Sequence, residues 1–193
     1  MSDFLTNLDY QIQNCSLCSL SGHGYATERI HPGTGKRVMF VGEAPGREEE
    51  IKKIPFVGRS GKLLDEWISY LKLDNYVITN VVKHRPNDFQ SHGNFPPSPD
   101  TIAMCKSFLI QEISHYKPEL IIFVGKIAAS SMPLYEGKSM ITMIKRGLEG
   151  KIGFHGIRAV AIYHPSFILR TNTEVQWILD SIKNIMDGEE DWE

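Results

Sequence analysis

Several things are scarce in this sequence. Its 193 residues include only three cysteines, carry a formal charge of only -2, and contain no apolar run long enough to span a bilayer. Three thiols are an odd number, which argues against a complete disulfide framework. A chain of this size buries roughly 70% of its unfolded surface and needs no such staples. The balance of 21 bases against 23 acids excludes a generally basic protein that coats nucleic acid. Runs such as Leu120 to Val124 are far too short for a membrane helix. The opening Met1-Ser-Asp-Phe lacks the basic and apolar regions of a secretory leader, so a soluble cytoplasmic protein is expected. No repeat or low-complexity linker interrupts the chain, and 41% hydrophobic with 23% charged residues are globular proportions. One domain over residues 1–193 is the expectation.

Charge is unevenly placed within that balance. Residues 187–193 hold five acids and no base, so the rest of the chain carries +3. From Lys126 to Arg170 there are seven bases against Glu136 and Glu149. An acidic tail of about 187–193 therefore masks a modestly basic body, which leaves room for a local anion-binding face.

Four short runs rich in Val and Ile have strand character: Arg37 to Gly42, Tyr76 to Val82, Glu119 to Gly125 and Ile157 to Tyr163. They are continuous rather than alternating, the pattern of strands buried on both faces. Helical periodicity fills the gaps. Leu63, Leu64, Trp67, Ile68 and Leu71 share one face of a segment starting near Ser60. Ser98-Pro99-Asp100 supplies an N-cap with proline at the first helical position. Thr171-x-x-Glu174 has the form of a capping box for a last helix through Trp177, Ile178, Ile182 and Ile185. Strands alternating with helices predict an α/β fold: three layers, α/β/α, around a four-stranded, mainly parallel sheet.

In such sheets ligands bind beyond the carboxyl ends of the strands, so the residues that follow each strand matter most. After the first comes Gly42-Glu43-Ala44-Pro45-Gly46, a tight turn whose N–H groups can face a ligand beside a carboxylate. Phe56 precedes a glycine-rich helix entry through Gly58, Ser60 and Gly61 and is suited to stacking on a planar ring. Asn80, at the end of the second strand, offers one donor and one acceptor to a heterocycle edge. His164 ends the fourth strand, where an imidazole can stabilise a developing anion. Each of these signals is weak alone.

In order, they are G-E-A-P-G-x-x-E, P-F-V-G-x-S-G, T-N-V-V-K and H-P-S-x-x-L-R. Together with Cys15 and Cys18 this series resembles the uracil-DNA glycosylase superfamily, most closely its iron–sulfur branch, family 4, from about Cys15 to Arg170. The resemblance implies an enzyme that flips deoxyuridine out of DNA and hydrolyses its N-glycosidic bond. It implies that Phe56 stacks on uracil and that Asn80 reads its Watson–Crick edge. His164 would stabilise charge on the leaving base, helped by backbone around Gly42, Glu43 and Ala44. Glu43 and Glu49 are both carboxylates for orienting water and countering the sugar cation, and the residues alone do not choose between them. Residues 164–170 resemble the family's minor-groove loop, with Phe167 or Leu169 as a wedge and Arg170 on a phosphate. Ser60 and Ser166 complete the expected DNA-facing set. Uracil-containing DNA is the expected partner, with no membrane, no nucleotide cofactor and a monomeric state.

Cys15-x-x-Cys18 is a half-site for a thiophilic metal, and Cys105 is the remaining thiol. Family 4 holds a 4Fe–4S cluster with four cysteines, whereas His84 stands at the third of those positions here. The resemblance therefore implies Cys15, Cys18, His84 and Cys105 around a 4Fe–4S cluster, with structural zinc as the alternative. His84 as a surface residue and Cys105 as simple packing is the remaining reading. A crosslinking branch similar to family 4 also carries histidine at this place and traps the sugar with a loop histidine. Asn94 occupies the matching loop position here and His92 is two residues away, so turnover is expected. The competing classes are a non-catalytic or covalently trapping uracil-DNA-binding protein and a glycosylase for another base.

Overall fold

The computed structural model describes residues 3–87, 93–131 and 137–188. Six strands form one sheet: β1 (Arg29–His31), β2 (Val38–Gly42), β3 (Tyr76–Asn80), β4 (Leu120–Val124), β5 (Gly153–Phe154) and β6 (Ile157–Ile162). Their order across the sheet is β1-β3-β2-β4-β6-β5. The central four are parallel and are the four that the apolar runs predict. The sheet is wider than the expected four strands because β1 and β5 add short antiparallel edges. Neither carries an apolar run, so the sequence pattern does not announce them.

Every residue of β2 and β4 is buried, which requires cover on both faces of the sheet. The described helices provide it: α1 (Asp3–Gln13), α2 (Arg47–Lys52), α3 (Arg59–Tyr70), α4 (Pro99–Tyr116), α5 (Lys126–Ser130), α6 (Met140–Leu148), α7 (Pro165–Thr171) and α8 (Gln176–Asp187). Ser98 caps α4 as predicted, its hydroxyl accepting from the Thr101 N–H at 3.1 Å. On α3, Leu64, Trp67 and Ile68 face the core. Phe4 of α1 stacks on His115 of α4 with ring centroids 3.8 Å apart.

Two local expectations are corrected. Residues 164–170 are not an irregular loop: His164 caps α7 and Pro165 opens it, a pairing that favours a helix start. The last helix begins at Gln176 rather than after Thr171. Thr171 instead ends α7, its hydroxyl donating to the Phe167 carbonyl at 2.8 Å. Of the acidic tail, residues 189–193 lie outside the described residues, as does His92. Among the described residues, no helix is long and apolar enough to cross a membrane.

Starting from β2, the chain adds β3 on one side and then β4 on the other. The reversal leaves a crevice at the carboxyl ends of β2, β3 and their neighbours, the usual ligand position in such sheets.

Candidate active site

A cavity of about 290 Å³ opens at that crevice. Its lining includes Glu43, Ala44, Glu49, Phe56, Ser60, Asn80, His164 and Ser166, all of which the sequence reading names. Gly46 and Asn94 complete the wall. Gly42 lies behind it: a Cβ there would overlap Asn80 Oδ1 and come within 2.6 Å of the Phe56 ring. Only glycine lets the amide and the ring approach so closely. Phe167, Leu169 and Arg170 are not part of the cavity lining and follow the lining residue Ser166 along α7. Leu169 is 51% exposed and Phe167 37%, with Phe167 stacked on Tyr163 at 5.3 Å.

Phe56 is held in an unusual way. Its φ of 55° is left-handed, which is rare for a bulky side chain. Glu49 accounts for it, with one carboxylate oxygen accepting from the Phe56 N–H at 2.5 Å and the other from the Gly46 N–H. Arg29 donates to the Phe56 carbonyl at 3.3 Å and pairs with Asp65. Gly61 completes the clamp, since any Cβ there would collide with that carbonyl. Burial raises the Glu49 pKa, opposed by these backbone donors.

Glu43 differs in this respect. Burial raises its pKa too, yet its carboxylate accepts no hydrogen bond among the described residues. It lines the cavity.

His164 Nδ1 accepts from the Ser166 N–H at 3.1 Å and lies 2.8 Å from the Ser166 hydroxyl. A nitrogen that accepts from an N–H carries no proton, so the neutral ring bears its proton on Nε2. Burial lowers the pKa of His164 to about 4, with Arg170 adding a smaller push. The ring is therefore neutral near pH 7, with Nε2–H as its donor. Its centroid lies 5.8 Å from that of Phe56.

Asn80 is 2% exposed, and its Nδ2 has no hydrogen-bond partner among the described residues. A buried amide donor left open costs about 1–3 kcal/mol, so a bound acceptor would relieve it. Sequence reasoning understated Asn94, whose side-chain oxygen accepts from Arg85 at 2.6 Å while Arg85 pairs with Glu50 at 2.6 Å. Arg85 and Glu50 give no periodic or motif signal, because their pairing depends on the tertiary fold.

None of the candidate metal ligands belongs to the lining of that cavity. Cys15, Cys18 and Cys105 are all free thiols. Burial raises the Cys105 pKa to about 11, with nearby Cys18 and Cys15 adding to it and the Lys83 N–H opposing. His84, bridged to Tyr25 through the main chain, has a buried Nε2 without a partner among the described residues. Burial also lowers its pKa, favouring the neutral form that binds metal. Among the described residues, no three His, Cys, Asp or Glu side chains are already arranged to hold an ion. The donor chemistry and the open His84 nitrogen nevertheless fit a thiophilic metal group.

Comparison with known proteins gives a consistent picture. A model of the Uracil DNA glycosylase superfamily matches residues 31–185. A Type-4 uracil-DNA glycosylase from Archaeoglobus fulgidus is 32% identical over 173 residues, 86% of this chain and 83% of that protein. Another from Pyrobaculum aerophilum is 36% identical, covering 86% and 85% respectively. One from Thermotoga maritima is 34% identical, covering 84% and 82%. A solution NMR structure of a proposed uracil DNA glycosylase from Methanosarcina acetivorans shares the fold with a TM-score of 0.50 at 10% identity. That match covers 85% of this chain and 98% of the other.

Proposed function

This chain belongs to the uracil DNA glycosylase superfamily, and on that premise we propose that it is a DNA-repair hydrolase that releases uracil from DNA. The observation that carries the reading is the open amide donor of Asn80, buried in a cavity shared with Phe56 and His164. Deoxyuridine is flipped from the duplex because its reacting carbon is hidden within the stack. Phe56 stacks on the extruded base. Asn80 donates to O4 and accepts from N3–H, a pattern that cytosine reverses.

As the N-glycosidic bond lengthens, its electron pair moves onto uracil. His164 donates from Nε2 to O2 and stabilises that charge, acting as a neutral hydrogen-bond donor throughout. Glu43 is the carboxylate that orients water and faces the sugar cation, since both oxygens of Glu49 are committed to backbone. Glu49 is a positioning residue that holds Phe56. Ser60 and Ser166 flank the cavity mouth, Leu169 is the more exposed wedge, Phe167 supports it, and Arg170 meets a phosphate.

Cys15, Cys18, His84 and Cys105 would hold a 4Fe–4S cluster, supplying a structural tie between the N-terminal segment and the segment after β3. Brown colour with visible absorbance and matching iron and sulfide supports the cluster, whereas a colourless zinc protein overturns it. Asn94 lines the cavity and stands at the loop position where the crosslinking branch carries its histidine, which favours turnover over covalent capture. A denaturant-resistant DNA adduct that disappears in His92→Ala would overturn that reading.

The direct test is strand cleavage at the abasic product, using duplexes that contain uracil, hypoxanthine or mismatched thymine. Uracil release is expected, with large losses in Asn80→Ala and His164→Ala. Activity that is absent in wild type, or unaffected by both changes, would sink the proposed mechanism.

A further inference from the structure

Directly behind Asn80 lies a charged pair that the reaction does not use. Lys83 and Glu112 are both completely buried, with the Lys83 ammonium 2.7 Å from each carboxylate oxygen. Such a pair is costly to desolvate, and packed apolar residues in its place are often as stable or more so. Its remaining contacts are informative. Lys83 Nζ donates to Thr79 Oγ1 at 2.6 Å and to the backbone carbonyl of Asn80 at 2.8 Å. Thr79 Oγ1 in turn donates to the Glu112 carboxylate at 3.0 Å. The ammonium therefore grips the residue that reads the base and the residue before it.

The position of this grip matters. Asn80 is the last residue of β3, and past it the Val81 and Val82 N–H groups donate to the Gly42 and Glu43 carbonyls. From the other side the Asn80 amide is confined by Gly42 and the Phe56 ring. Lys83 thus fixes the main chain from which that amide projects.

We infer that Lys83, held by Glu112 and Thr79, is a positioning residue for Asn80 and sets how sharply the enzyme distinguishes uracil from cytosine. This rests on the proposed reading of Asn80 as the base-recognition amide. The distinction needs one fixed orientation, because rotating the amide exchanges donor and acceptor and matches the wrong base. Displacing a recognition group by about 1 Å can cost on the order of a hundredfold in rate.

Thr79 offers the cleanest test, because changing it leaves the main-chain contact between Lys83 and Cys105 in place. Thr79→Val keeps the shape but removes the hydroxyl, and Thr79→Ser retains the hydroxyl. Three quantities are measured for each: single-turnover release of uracil opposite guanine, release of cytosine from the matching duplex, and affinity for an abasic-site duplex. The last presents no base for Asn80 to read. Thr79→Val is expected to slow uracil release by about tenfold or more and to narrow the uracil-to-cytosine ratio. Thr79→Ser should stay near wild type, with abasic-site affinity equal in all three proteins.

The double variant Lys83→Met/Glu112→Met removes both charges together and should shift the ratio further in the same direction. The Thr79 pair decides the question even if the double variant does not fold. Equal behaviour of Thr79→Val and Thr79→Ser overturns the inference, and so does a parallel loss of abasic-site affinity, the mark of general damage. If wild type released no uracil, the functional reading would fail first and take this inference with it.

Discussion

Among single side chains, His164 has its protonation state set before any substrate arrives. Its Nδ1 is occupied by the Ser166 N–H, and burial holds its pKa near 4, so the ring enters the reaction neutral. Titration of His164 should therefore leave uracil release unchanged between about pH 5.5 and 8, a range in which an ordinary imidazole would switch. His164→Ala should slow single-turnover release by about 100-fold or more. Glu43 predicts a different signature, because burial raises its pKa and the role we propose for it needs it ionised. The acid limb of the pH–rate profile should lie above the usual carboxylate range. Glu43→Gln should abolish that limb and lower the plateau by about 100-fold. A Glu43→Gln enzyme that retained the limb would transfer the role to another group. The sequence makes Asn80 and His164 legible because both stand where apolar runs stop. It does not reveal how Glu43 and Glu49 differ, which depends on the backbone N–H groups that both Glu49 oxygens accept from.

At the scale of elements, the approach of α3 to the Phe56 turn is the tightest fit. Gly61 sits in the first turn of α3 against the Phe56 carbonyl, so Gly61→Ala must push the helix and the Phe56 turn apart. The expected result is destabilisation by about 1–3 kcal/mol, seen in thermal unfolding, together with a raised KM for uracil-containing DNA. Unchanged stability would mean that the clamp is slack. The α3 motif was readable in sequence because glycine, aromatic and cap residues fall close together. The α7–α8 boundary was misread for a physical reason: Thr171-x-x-Glu174 has the spacing of a capping box, but the Thr171 hydroxyl turns back to close α7. The pairing of His164 with Pro165 carried the correct signal for a helix there, and the resemblance to a loop obscured it.

For the whole molecule, stability should depend on pH through a carboxyl distant from the chemistry. Burial, helped by the negative charge of Glu112, raises the Glu28 pKa to about 7 from an ordinary 4.5. One of its oxygens accepts from the Tyr116 hydroxyl at 3.1 Å, and the other is buried without a partner among the described residues. A carboxyl whose folded pKa is raised favours the fold below its unfolded pKa, and that contribution is lost as pH rises through the folded value. Glu28→Gln, neutral at every pH, should gain in melting temperature relative to wild type as pH goes from 5 to 8. A constant difference would show that Glu28 does not titrate in that window. If the proposed metal group is present, replacing Cys105 with serine, or treatment with a chelator, should lower the melting temperature and loosen the segment around Cys15 and Cys18 in hydrogen exchange. The four central strands were legible because both of their faces are buried. Glu28, Glu112 and Lys83 were not, because buried charges look like surface residues until the fold pairs them.

The short strands β1 and β5 have a further consequence. A parallel sheet that ended on β3 and β6 would expose long rows of unpaired N–H and C=O groups, inviting strands of other molecules to add on. Here each side finishes in an antiparallel stub, three residues at β1 and two at β5, with β1 largely exposed and His31 stacked on Tyr76. Such brief termini give an incoming strand little to extend. The same additions that hide from sequence periodicity thus act as gatekeepers against aggregation of the protein with itself.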